Sequence, residues 1–242
     1  MNILAIGNSF SEDATKHLYS IAYADGRTIS VINLFIPGCT LDRHYRNMLS
    51  GERAYELQCN GNKTGFYVSL DEALLNREWD VITLQQASRK SAQTDSYYPY
   101  IEELAKHIRK LSPKAKIYIH QTWAYEAGCD RLRNLVGYDT PEEMLADVKA
   151  AYANAAVKIN ADGIIPSGEL FEKLLHSGIA SVHRDTYHAT FVLGRYALGL
   201  LWYGKLCGGD VLENNFHALD SQISPENIRT VKSCVAELIN EK

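Results

Sequence analysis

The chain has 242 residues, with 25 Lys and Arg against 29 Asp and Glu and a formal net charge of −4. At 46% hydrophobic and 22% charged it carries enough apolar material for a sizeable core, which excludes disordered, collagen-like and coiled-coil architectures. The mild negative balance, with no basic stripe, gives no electrostatic reason to expect nucleic acid or an anionic membrane as partner. Five cysteines (Cys39, Cys59, Cys129, Cys207 and Cys234) lie scattered without a C-x-x-C pair, which speaks against a zinc knuckle or a disulfide framework. The first ten residues lack the basic and apolar regions of a signal peptide, and the best apolar run, 196–203, is too short for a bilayer. A cytoplasmic chain is expected.

In chain order, residues 2–6 read as a first strand, followed by a helix over 13–25 and a second strand over 28–36. Asn60-Gly61-Asn62 is a turn signal that predicts a hairpin within 55–68. A helix near 69–76, a strand over 80–85, a helix over 97–111 and a strand over 116–120 follow. Glu142 and Glu143 after Pro141, with Thr140 as N-cap, open a helix over 140–159. A strand at 163–165 and helices near 189–206 and 225–240 complete the chain. This alternation predicts the α/β class: a three-layer αβα sandwich around a five-stranded parallel sheet of flavodoxin-like order. No repeat, low-complexity tract or linker interrupts it, so a single domain over 1–242 is expected, with the hairpin as a small insertion.

In an open parallel sheet, ligands bind beyond the carboxyl ends of the strands. The first such segment is Gly7-Asn8-Ser9-Phe10-Ser11. A serine at a strand-to-helix turn offers an exposed oxygen beside backbone N–H donors, as a nucleophile requires. The same turn is consistent with Ser9 or Ser11 capping the helix, or with a phosphate cradle. A serine nucleophile needs a base and a carboxylate to orient it. Asp185 and His188, three apart before a helix, can turn to one side and supply both. His183-x-Asp185-x-x-His188 also has metal-ligand character, but no further cluster completes it; no metal or other cofactor is expected. Gly38, after the second strand, can bring a bare N–H close to a substrate. Gln85 and Gln86 end a buried strand, where an amide either braces loops or points at a ligand, and register decides which.

Taken in order, these blocks resemble the SGNH (GDSL-type) hydrolase superfamily: a serine after strand one, a glycine after strand two, an amide after strand three and a D-x-x-H near the C-terminus. Gly38-Cys39-Thr40-Leu41, Leu84-Gln85-Gln86-Ala87-Ser88 and His120-Gln121-Thr122-Trp123-Ala124-Tyr125 resemble its DUF4886 branch more narrowly. The resemblance implies an SGNH hydrolase fold and a serine esterase with Ser9 as nucleophile, His188 as base and Asp185 as its orienting partner. The Ser9 and Gly38 N–H groups, with Gln86 or else Gln85, would form the oxyanion hole. Two departures stand out: Asn8 where many members carry Asp, and Gln85-Gln86-Ala87-Ser88 in place of the usual G-x-N-D block.

Acetyl groups on sugars are frequent substrates in that superfamily, so an acylated carbohydrate is the expected partner. Trp123, Tyr125, Tyr187, His44 and Tyr45 are candidate walls for sugar stacking. Activity is expected to rise with pH around the ordinary imidazole value of about 6.5. A non-catalytic carbohydrate-binding relative, a flavin or nucleotide binder and a lipase or thioesterase for longer chains are the alternatives. The missing G-x-x-x-x-G-K-[ST] weighs against nucleotide binding. The absent G-x-S-x-G weighs against the α/β-hydrolase fold.

Overall fold

The chain runs β1 (Asn2–Gly7), α1 (Ser9–Thr15), α2 (Leu18–Ala24), β2 (Ser30–Phe35), α3 (Leu41–Ser50), β3 (Tyr55–Cys59), β4 (Asn62–Val68), α4 (Leu70–Leu75) and β5 (Val81–Leu84). It continues with α5 (Tyr100–Leu111), β6 (Lys116–Gln121), α6 (Pro141–Ile159), β7 (Gly163–Pro166), α7 (Ser167–His176), α8 (Leu193–Trp202) and α9 (Pro225–Asn240). The computed structural model describes residues 1–219 and 221–240. Asp220, Glu241 and Lys242, which the 1–242 domain expectation includes, lie outside the described residues.

The strands form one sheet in the order β4-β3-β2-β1-β5-β6-β7. Five of them, β2-β1-β5-β6-β7, are parallel and follow the flavodoxin-like order. The expected five strands become seven because the hairpin does not stand apart. Strand β3 pairs antiparallel with the outer edge of β2, Ile32 facing Cys59 and Phe35 facing Glu56. That pairing satisfies backbone groups which an edge strand would leave open. Asn60 and Gly61 both adopt positive φ, 49° and 79°, the turn that tight hairpins favour. Gly61 cannot carry a side chain, because a Cβ would overlap the Lys16 carbonyl oxygen.

The core forms where the two faces of the sheet are covered. Ile3, Leu4, Ala5 and Ile6 are all fully buried, the continuous apolar run expected of a strand with helices above and below. Helices α1, α2, α7, α8 and α9 pack with one another, and α3, α4, α5 and α6 form the other group. Helix α6 begins as its sequence predicts, with Pro141 in its first turn and a capping box between Thr140 and Glu143. Among the described residues, no helix is long and apolar enough to cross a membrane.

The first helix departs from expectation in a way that matters. It starts at Ser9 rather than 13, because the Asn8 side chain accepts from the Phe10 N–H at 3.0 Å and caps the turn directly. Neither Ser9 nor Ser11 is the cap. Ser11 instead donates to the Asn8 carbonyl and the Asn33 side chain, leaving Ser9 to face outward at the end of β1. Strand β1 lies between β2 and β5, so its following loop opens where connections leave the sheet in opposite directions, the usual ligand crevice of such folds.

Candidate active site

The Ser9 hydroxyl and the His188 Nε2 lie 2.8 Å apart. The His188 Nδ1 meets the Asp185 carboxylate at 2.8 Å, and the other oxygen of Asp185 accepts the His188 backbone N–H at 2.9 Å. Three residues from two ends of the chain thus form a continuous hydrogen-bonded line. Asp185 needs a tight reversal of the chain to bind both groups of His188. Thr186 supplies it with φ of 75°, a left-handed conformation that a β-branched residue adopts only when its surroundings hold it. The Glu126 N–H, donating to the Thr186 carbonyl at 2.8 Å, is one such hold. Burial works against the Asp185 charge, but hydrogen bonds from the His188 ring and backbone outweigh it and keep the carboxyl below its ordinary value.

Asp13 ties the two halves together. It lies one helical turn beyond Ser9 and is fully buried. Its carboxylate accepts from Arg184 at 3.0 Å, from Arg195 at 2.7 Å and from the Ala189 N–H at 3.1 Å. Arg184 and Ala189 bracket the segment that carries Asp185 and His188, so the helix of the serine and the loop of the histidine share one buried anchor. Nothing in the sequence singles out Asp13, because its three partners stand 171 to 182 positions away.

A cleft of about 250 Å³ opens over this line. Asn8, Ser9, Gly38, Ser88, Tyr125, Tyr187 and His188 line it, with Arg89, Arg131 and Leu135 at its rim. Gly38 adopts φ of 56°, which favours a residue without a Cβ. A second cavity of about 420 Å³ lies next to it, lined by Leu145, Phe171 and Leu175 together with Glu126, Glu142 and Glu172, with Tyr125 common to both.

Neither glutamine reaches the cleft. Gln86 is fully buried, and its Oε1 accepts from the Leu41 and Ala87 N–H groups while its Nε2 donates to the Ser96 carbonyl and hydroxyl. Every polar atom of its amide is occupied, so it braces the loops after β2 and β5 and is not an oxyanion donor. Gln85 donates to the Asn8 side chain at 2.8 Å, and its Oε1 meets the His120 Nδ1 at 2.8 Å. It therefore supports the Asn8 cap from behind. His120 is itself held neutral, its value pushed down to about 3 by burial.

A family model described as "Domain of unknown function (DUF4886)" matches residues 2–237. The chain belongs to the DUF4886 family. A crystal structure of a DUF4886 family protein from Bacteroides uniformis ATCC 8492 is 32% identical, covers 99% of this chain and 94% of that one, and superposes with a TM-score of 0.91. A Slackia heliotrinireducens protein assigned to the SGNH hydrolases shares the fold at 22% identity and a TM-score of 0.58, over 83% of this chain and 95% of that one. An acetyl xylan esterase, AlAXEase, does so at 12% identity and a TM-score of 0.58, over 84% and 99% of the two chains. No curated protein matches this chain.

In this DUF4886 protein the aromatic candidates divide in two. Tyr125 and Tyr187 line the cleft, and the Tyr125 hydroxyl meets the Ser88 hydroxyl at 3.0 Å. Trp123 and His44 do not line it. Trp123 is fully buried, stacks on Phe10 at 4.1 Å and donates to the Tyr187 carbonyl at 2.7 Å, so it is a post beneath the wall. His44 is buried in parallel with the Tyr55 ring, and burial pushes its value down to about 3. Tyr45 packs on Tyr100 at 5.7 Å. His183, which its spacing groups with Asp185 and His188, turns away so that its Nε2 meets the Ala124 carbonyl at 3.1 Å. Two arginines at the rim of the DUF4886 cleft, Arg89 and Arg131, are not among the residues that the sequence motifs single out. Arg89 follows directly on the Leu84–Ser88 block, which marks it in the sequence; Arg131 opens a short π-helical turn, Arg131–Leu135, that no sequence marker announces.

Proposed function

We propose that this protein is a serine esterase that removes small acyl groups, acetyl above all, from carbohydrate hydroxyls. The observation that carries this reading is the unbroken line from the Ser9 hydroxyl through His188 to Asp185, each step 2.8 Å. In the reaction, His188 Nε2 takes the proton as the Ser9 oxygen attacks the ester carbonyl. Asp185 accepts from the Nδ1–H, which fixes the tautomer and stabilises the imidazolium. The backbone N–H groups of Ser9 and Gly38 receive the oxyanion, without support from Gln85 or Gln86. Collapse of the tetrahedral intermediate expels the alcohol, which takes the proton from His188 and leaves an acyl-serine. Water, deprotonated by His188, then attacks that ester and releases the acid and the free serine.

The size and walls of the cleft support the substrate class. A space of about 250 Å³ with Tyr125 and Tyr187, packed edge to face at 5.7 Å, in its wall suits an acetyl group and a sugar ring better than a long chain, and aromatic groups can pack on sugars. The likeness in fold to an acetyl xylan esterase points the same way. In a cytoplasmic setting the substrates would be short, imported acylated oligosaccharides. The test is acetate release from acetylated xylo-oligosaccharides alongside an aryl ester series from acetate to octanoate. Release that depends on Ser9, with activity falling as the acyl chain lengthens, is expected. A preference for octanoate would place the acyl chain in the neighbouring cavity and favour a lipase; binding of the sugars without turnover would favour a non-catalytic relative.

A further inference from the structure

The charge around the cleft bears on what the substrate carries besides its ester. Two guanidinium groups, Arg89 and Arg131, stand at its rim, both exposed. Among the described residues neither is paired with a carboxylate, whereas nearby Arg46 and Lys90 share Asp42, and Arg133 pairs with Asp139. Arg89 is held loosely, by one hydrogen bond to the Gly38 carbonyl at 3.3 Å. Arg131 lies over the Tyr187 ring at 4.2 Å, and that ring lies 3.9 Å from the His188 imidazole. Arg131 therefore sits near the reacting histidine, and Arg89 lies against Gly38 on the same cleft. Their fields overlap inside the cleft: burial raises the Tyr125 hydroxyl, and Arg131 and Arg89 both act to lower it.

Among the described residues no carboxylate lines this cleft, although the chain as a whole is negative by four charges. Two cations without counter-charges, facing a pocket, attract anions and hold a carboxylate well, since a guanidinium matches its two oxygens. A neutral sugar gives them nothing to neutralise. We infer that the alcohol portion of the substrate bears a carboxylate, so that the protein acts on acylated sugar acids with Arg89 and Arg131 receiving the acid group. This inference rests on the esterase reading for the reaction, and on the two arginines for the choice of sugar.

The test compares a mono-O-acetylated methyl glucuronoside with the matching acetylated methyl glucoside. Wild type is expected to prefer the glucuronoside in kcat/KM by about tenfold, the scale of one charge-assisted contact, with the preference shrinking between about 0.05 and 0.5 M NaCl. Arg89→Gln and Arg131→Gln should each lower the ratio between the two substrates, and the double variant should bring it near one. A wild-type ratio of one, or a ratio that neither variant moves, overturns the inference while Ser9-dependent turnover leaves the esterase reading intact. Should neither ester be cleaved, the esterase reading falls. Calorimetric titration of the Ser9→Ala protein with the two sugars then decides the site alone: tighter binding of the glucuronoside supports it, and equal binding overturns it.

Discussion

The Ser9 hydroxyl and the His188 imidazole stand 179 positions apart in the chain and 2.8 Å apart in space. Two separate devices produce that meeting. Asn8 caps the first helix so that Ser9 is its first residue, and Asp13, on the same helix, grips both sides of the histidine loop. The contact is thus built from the β1 end and the loop end at once, and each device can be removed by itself.

Asp185→Asn tests the orienting step. The amide can no longer hold the imidazole in the productive tautomer, so kcat should fall by about 10²–10⁴, with KM little changed. Asp185 is partly exposed, so thermal unfolding should shift by no more than about 2 °C, within the range of ordinary surface changes. Steady-state kinetics on an aryl acetate beside a melting curve would separate the two effects. An unchanged kcat would remove Asp185 from the mechanism.

Gln86→Ala distinguishes a brace from an oxyanion donor. Loss of a buried amide that satisfies four groups should destabilise the protein by about 2–4 kcal/mol, since the Leu41 and Ala87 N–H groups lose their acceptor. In whatever fraction stays folded, kcat should remain within about threefold of wild type, against the 10²–10³ loss expected of a true oxyanion donor. Active-site titration, which counts competent sites, makes the comparison fair.

These glutamines mark the boundary of what could be read in the sequence. Ser9, Gly38 and the Asp185–His188 pair were legible because each is fixed by a local event: the end of a strand, a positive φ, a spacing of three. Apart from the neighbouring Ala87, the partners of Gln86 are not local, since Leu41 lies 45 positions away and Ser96 lies 10 away. Only the packed chain could show that the amide was already occupied. Trp123 is ambiguous in the sequence for a related reason: an aromatic after a strand can face the cleft or the layer beneath, and its stack with Phe10 decides for the layer beneath. Helix α3 leaves no clear trace in the sequence because the side it buries carries His44 and Asn47 as well as Leu41, so no apolar period marks it. The hairpin was visible in Asn60-Gly61, but its pairing to β2 was not, because register with a strand some 25 residues away leaves no local trace.

Asp13→Ala should be among the most damaging single changes. It leaves Arg184 and Arg195 without the carboxylate they share, and breaking such a buried pair typically costs about 3–5 kcal/mol. Activity in the surviving folded protein should also drop, because the loop bearing Asp185 and His188 loses its anchor. Urea unfolding followed by fluorescence gives the first quantity. A loss below about 1 kcal/mol would mean that the clamp contributes little.

Stability should fall in mild acid for a reason that can be traced to particular rings. Burial holds His44 and His120 down to about 3, and His17 and His183 down to about 4. In the unfolded chain each returns to about 6.5. Below that value the unfolded state binds more protons than the folded one, so stability declines as pH falls, by up to about 1.4 kcal/mol per unit for each ring. Urea midpoints should therefore drop steadily between about pH 6.5 and 4.5, and a flat profile would contradict the burial of these imidazoles in neutral form. None of the four titrates near neutrality, so an acid limb in activity there is not theirs.

The most direct test asks which oxygen is nucleophilic. A fluorophosphonate reacts with an activated serine and leaves a stable adduct whose position peptide mass spectrometry can map. The adduct is predicted on Ser9, absent in Ser9→Ala and much slower to form in His188→Ala. A folded wild-type protein that stays unlabelled, or an adduct on another residue such as Ser11 or Ser88, would contradict the assignment of Ser9.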